Sequence, residues 1–324
     1  MRGLILCFML ILSVNLGFAK DREIEATDSN IKAFAMVPPL TVLLEILHPQ
    51  GMIGLNYKPY PEDIDFMPEN VAKLPIIGMQ RGNEPIFEKL IALKPDVIFF
   101  SEDTDKKILN SYQKFGIKAI KVNAFDESKL DDTIRIYGRM LNVESRANEL
   151  LDFINTTNAK LANLSAKITH RPKIYFAQGV DGLTTQCGKQ DDKNDLAYRI
   201  GGINALNCDR SFVNVNFEIL LDINPDMIFV REIALYKQLI KSPPKQWQSI
   251  SAIKNKKVYY APSTPSNWLM KPPSVMQSIG VPFAFAKVHS DILSESEAKA
   301  NAQAFFAKFL KTLSDKDYKR ISGE

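Results

Sequence analysis

Glu88-Lys-Leu-Ile-Ala-Leu-Lys-Pro95-Asp96-Val-Ile-Phe-Phe100 and Glu218-Ile-Leu-Leu-Asp-Ile-Asn-Pro225-Asp226-Met-Ile-Phe-Val230 are two copies of one pattern in a chain of 324 residues. Each opens on Glu, reaches Pro-Asp after one or two helical turns, and runs on into large apolar residues. Local physics accounts for most of it. The proline ends a helix and the Asp favours the turn that follows. A run of four apolar residues then fits a strand buried on both faces, as a central strand of a parallel sheet is. The leading Glu is less constrained: acidic residues favour a helix's first turn, and the same position also suits a surface contact.

The surroundings of both copies alternate strand and helix. Ile31–Met36 predicts a strand, and Pro38-Pro39 opens a helix over Leu40–Leu47, where a missing N–H costs little. Met52–Asn56, Leu74–Gly78, Asp96–Phe100 and Lys118–Val122 follow as strands, with helices over Glu84–Leu93 and Lys106–Phe115. Apolar residues then recur with helical spacing from Val143 to Ile168, and no Pro or Gly interrupts 142–170. A helix of about 25 residues spans roughly 37 Å, enough to run the length of a domain. After Arg171-Pro172 a second series begins, with strands at Lys173–Ala177, Asp226–Val230 and Lys257–Tyr260 and a final helix over Ser294–Leu313. The expected architecture is α/β, with two Rossmann-like lobes joined by one long helix. The lobes are assigned to residues 20–141 and 171–324, the helix to 142–170.

Composition narrows the function. The chain is 45% hydrophobic and 24% charged with a formal charge of +4 and no long basic run, which tells against nucleic-acid binding. Residues 1–19 combine Arg2, an apolar stretch at Leu4–Val14 and Gly17-Phe18-Ala19, the pattern of a cleaved secretion signal rather than a membrane span. Cys7 sits inside the apolar stretch, the wrong place for lipid attachment. The expected product is a soluble, exported monomer. Cys187 and Cys208 remain after cleavage, and export leaves both a disulfide and two buried thiols open for them.

The repeated pattern resembles the periplasmic binding proteins for ferric siderophores, haem and vitamin B12, sometimes called class III. Gly116-Ile117-Lys118 before an apolar strand, Ile200-Gly201-Gly202-Ile203-Asn204, and Trp247–Ile253 with Lys257-Val258-Tyr259 match further elements of that family in order. The CeuE-like ferric-siderophore and nickel-chelate binders are the most similar branch. The resemblance implies a protein, not an enzyme, that holds a metal chelate between two lobes and hands it to an ABC permease and its ATPase. It also assigns Glu88 and Glu218 to permease docking.

Ligand contacts are expected on loops after strand C-termini, the ligand edge of such sheets. There Tyr57, Tyr60, Tyr236 and Trp268 are candidates to wall a flat chelate. Lys58, Arg81 and Arg231 are candidates to neutralise an anionic one, with Gln178 beside them. The chain has three His, at 48, 170 and 289, none in a predicted cleft loop, so a bare metal lacks soft or imidazole ligands. The cargo is therefore expected to arrive as a chelate of Fe or Ni, or to complete its coordination from a Tyr, Glu102 or Asp103. No cofactor is expected. A ferric siderophore is the first choice, with a nickel chelate, haem or vitamin B12 as alternatives, and an exported chelatase-like enzyme on the same fold further off.

Overall fold

A computed structural model of the chain describes residues 29–78, 86–190, 192–208 and 212–324. The expected secretion signal and Arg81 lie outside these residues. The first half contains β1 (Ala33–Ala35), α1 (Pro38–Leu47), α2 (Pro61–Ile64), α3 (Glu69–Ala72), α4 (Ile86–Leu93), β2 (Val97–Ser101), α5 (Lys106–Gln113), β3 (Lys118–Val122) and α6 (Leu130–Leu141). The long helix α7 (Glu144–Ser165) follows. Beyond it come β4 (Lys173–Ala177), β5 (Thr184–Gln186), α8 (Leu196–Arg199), β6 (Ile203–Asn204), β7 (Phe212–Asn214), α9 (Phe217–Ile223) and β8 (Met227–Val230). The chain closes with α10 (Ile233–Lys241), α11 (Ser251–Lys254), β9 (Val258–Tyr260), α12 (Gln277–Val288), α13 (Glu295–Phe309) and α14 (Asp315–Ser322).

Each copy of the repeat supplies an inner strand. β2 lies between β1 and β3, and β8 lies between β4 and β9 in the order β6-β4-β8-β9, with every pairing parallel. Val97 to Ser101 and Met227 to Val230 are all buried, as strands covered on both faces must be. The Pro-Asp pair does more than turn the chain. Lys94 (φ 51°) and Asn224 (φ 41°) take the left-handed conformation that closes a helix. Asp96 Oδ2 then accepts a hydrogen bond from the Lys32 amide at 2.7 Å, and Asp226 Oδ2 accepts one from Lys173 at 2.8 Å. Each Asp therefore pins the start of the neighbouring strand, β1 in one lobe and β4 in the other, and fixes the register of the sheet.

Met52–Asn56 and Leu74–Gly78, expected as strands, instead make single bridges, Met52 to Ala33 and Leu55 to Ile76. The long helix starts after Asn142, which caps α6 in the left-handed conformation (φ 55°). Its 22 residues span about 33 Å. The last helices pack on both lobes, reaching β4, β8 and α8 of the second as well as the first. α12 and α13 share one apolar core with α1, α6 and α7, and Phe306 meets Phe66 edge-on at 6.0 Å. Arg146 of α7 staples this layer: its Nε donates to the Ile46 carbonyl at 2.6 Å and its guanidinium lies over Phe309. Apolar rings at 305, 306 and 309 need cover, and α7 together with the first lobe supplies it.

Candidate ligand cleft

Parallel strands that follow one another through helices end on one edge, so the residues just after β1, β2, β4 and β8 share the ligand side of their sheets. In the second lobe this edge carries Gln178 and Arg231. Gln178, 4% exposed, is held by paired backbone hydrogen bonds with Thr184. Arg231 Nη1 donates to Gln178 Oε1 at 3.2 Å and to the Lys271 carbonyl at 3.3 Å. Both acceptors are neutral, and no carboxylate pairs with Arg231 among the described residues. Gln178 Nε2 is buried without a hydrogen-bond partner. A half-buried guanidinium with spare donors and no counter-charge suits an anion.

The two lobes also touch through side chains. Tyr57 faces Ser266 of the loop between β9 and α12, and Asp63 lies beside Thr264 and Ser266 of the same loop. Asp63 Oδ2 accepts from the Tyr60 amide at 3.1 Å, while Oδ1 is buried without a hydrogen-bond partner. Beneath them is Glu45, the one charged residue of helix α1. Burial, and then the charge of Asp63, push its carboxyl up to about 8. Burial likewise raises Asp63, and burial followed by the Glu45 charge raises the Tyr57 phenol. On the other flank Arg199 of α8 pairs with Glu127 of the first lobe and donates to Gln277 Oε1 at 2.7 Å. Neither Glu45 nor Asp63 was singled out from sequence. The available signal was a lone acid in the run Leu43-Leu44-Glu45-Ile46-Leu47.

The other candidates separate. Tyr57 stays half-buried at the lobe contact, whereas Lys58 and Tyr60 are exposed, Tyr60 at 68%. Tyr236 packs its ring on Tyr260 at 5.7 Å, with Gly323 against it. Trp268 is not a wall. It is fully buried, packs on Phe283 and Phe306, and sits so close to α12 that a Cβ at Gly280 would collide with its carbonyl. Glu102, considered for a metal, accepts a hydrogen bond from Asn123 at 2.7 Å. His48 Nε2 lies 2.9 Å from the Ile31 carbonyl and His289 Nε2 lies 2.8 Å from that of Gly201, while His170 is exposed. Among the described residues no group of three or more His, Cys, Asp or Glu could hold a metal ion. Cys187 and Cys208 form a disulfide with Cα atoms 5.7 Å apart.

A concavity of about 840 Å³ lies on the opposite edge of the first sheet, lined by Ile31, Lys94, Asp96, Phe115, Lys118 and Asn142. It faces the starts of β2 and β3, away from the lobe contact, and is not the ligand cleft. Glu88 and Glu218 are exposed in the first turns of α4 and α9. Each helix runs back to begin the next strand, so its first turn lies at the ligand edge of its own lobe. No helix among the described residues is long and apolar enough to cross a membrane.

A family profile described as "Periplasmic binding protein" matches residues 58–265, which include β2, α7, β4 and β8 with the loops that follow these strands. The chain belongs to the periplasmic binding protein family. An ABC transporter solute binding protein from Sulfurospirillum deleyianum is 28% identical and superposes with a TM-score of 0.79 over 92% of this chain and 96% of its own. The "High-affinity heme uptake system protein IsdE" of Staphylococcus aureus is 25% identical over 265 residues, 79% of this chain and 89% of the relative. The periplasmic haem-binding protein RhuT from Roseiflexus shares the fold, at 18% identity and a TM-score of 0.62 over 81% of this chain and 99% of its own. By family and by these likenesses the chain is a periplasmic binding protein of the ABC transporter type rather than an enzyme.

Proposed function

We propose that this periplasmic binding protein is exported to the periplasm and captures an anionic metal chelate between its lobes, a ferric siderophore before the alternatives. It then delivers the chelate to an inner-membrane permease. The observation that carries the reading is Arg231, held by Gln178 and the Lys271 carbonyl and lacking a carboxylate partner among the described residues. An arginine so placed is stabilised by anionic oxygens brought in with the ligand. The metal comes inside the chelate, because His48 and His289 already meet backbone carbonyls. Tyr57 and Gln178 line the approach, and Glu88 and Glu218 at the rim guide docking on the permease. Exposed ion pairs are worth only about 0–1 kcal/mol each, which suits a partner that must release.

Haem is the second reading, supported by the similarity to a haem uptake protein. Its propionates would meet Arg231 in the same way, and its iron would take a phenol or thioether. Titration calorimetry with a ferric tris-catecholate complex, nickel–histidine, haem and vitamin B12 separates these. Binding of an anionic chelate that Arg231→Met weakens at least tenfold supports the reading. Absence of heat with all four ligands would sink it.

A further inference from the structure

The residue that fixes Arg231 is two hydrogen bonds away from it. Lys271 lies in the irregular loop between β9 and α12, where side chains rather than a helix or strand ladder place its backbone: Asn267 Oδ1 accepts from the Met270 amide at 3.0 Å on one side, and Gln186 holds Lys271 itself on the other. Its amide donates to Gln186 Oε1 at 3.2 Å, and its carbonyl accepts from Arg231 Nη1 at 3.3 Å. Gln186 is a rigid anchor. It is 2% exposed, ends β5 opposite Phe212 of β7, and precedes the bridged Cys187. On the other side Gln178 Oε1 accepts from the same Nη1. The two acceptors thus occupy one nitrogen and leave Nε and Nη2 as the open side of the planar fork, which matches paired anionic oxygens.

We infer that Gln186 is a positioning residue for ligand recognition: by anchoring the backbone of Lys271 it orients the Arg231 guanidinium before the ligand arrives. The inference rests on the reading that Arg231 meets the chelate. With Gln186 replaced, Lys271 loses its hydrogen bond to β5, and only the Asn267 contacts to Met270 and Pro272 still place the carbonyl that Arg231 meets. The anion then has to order the arginine as it binds, which lowers affinity.

The test is a double-mutant cycle on the full chain. The probes are a ferric tris-catecholate complex and haem, titrated by calorimetry at low and high salt. Gln186→Met keeps the side chain's length and removes the acceptor. It is expected to weaken anionic-probe binding about tenfold, a value typical of losing one well-placed hydrogen bond. Arg231→Met weakens it further and flattens its salt dependence. On the Arg231→Met background, Gln186→Met should change affinity less than twofold, because a residue acting through Arg231 has nothing left to position. A tenfold loss on both backgrounds means a merely structural role and overturns the inference, as does unchanged affinity for Gln186→Met alone. If neither probe binds the unsubstituted protein, the chelate reading falls and takes this inference with it. Should Gln186→Met not fold, Gln186→Thr, suited to a strand and too short to reach Lys271, is measured in its place.

Discussion

Glu45→Gln is the sharpest test of the lobe contact. Glu45 is 5% exposed, and its carboxyl moves from an ordinary 4.5 to about 8 through burial first and the nearby Asp63 second. The folded protein therefore holds this proton more tightly than the unfolded chain. Below about 4.5 both states are protonated and the buried acid costs nothing; the penalty grows as pH rises and levels off above about 8. Linkage puts it below about 1 kcal/mol at pH 5, about 3 kcal/mol at pH 7 and about 4 kcal/mol at pH 8. Gln has the same shape and no charge, so Glu45→Gln should gain those amounts of stability. Urea unfolding of both proteins across this pH range reads the difference from the midpoints at constant slope. A variant that is less stable at pH 8, or whose advantage does not grow with pH, would refute the assignment of a buried, uncompensated carboxyl at this contact.

Trp268→Ala should cost about 3–5 kcal/mol in thermal or urea unfolding, as removal of a buried ring does. Trp268→Phe gives up no hydrogen bond, because Nε1 has no partner, and should leave affinity for a ferric tris-catecholate complex within about twofold. A large loss of affinity there would return Trp268 to the cleft. Reversing Glu88 and Glu218 together to Lys should abolish chelate uptake by cells while calorimetry of the purified protein finds binding intact. Weakened binding would place the glutamates in the cleft instead.

The two-lobe frame was legible because its determinants are local and periodic. The Pro-Asp pairs announce their strands, and the run without Pro or Gly after Asn142 announces α7. The strand-pinning role of Asp96 and Asp226 was hidden, since their partners Lys32 and Lys173 are more than fifty residues away. α12 was missed because it is buried on nearly every face and carries Pro282, so it shows no amphipathic stripe. That helix misled the site reading as well. Trp268 follows a strand end, as a cleft aromatic would, but Gly280 opens a seat for its backbone and Phe283 and Phe306 receive its ring. Arg231 and Gln178 were legible as edge residues. Gln186 and Lys271 were not, because their importance depends on where an irregular loop returns.

The core shared by α1, α6, α7, α12 and α13 has a bearing on how cargo is sorted. A jaw mounted on one stiff bar, with both halves packed into the same backing, has little travel. It cannot wrap itself around solutes of differing girth as a freely hinged clamp does. It works like a fixed gauge: a solute is accepted when its width suits a gap that was set when the chain folded.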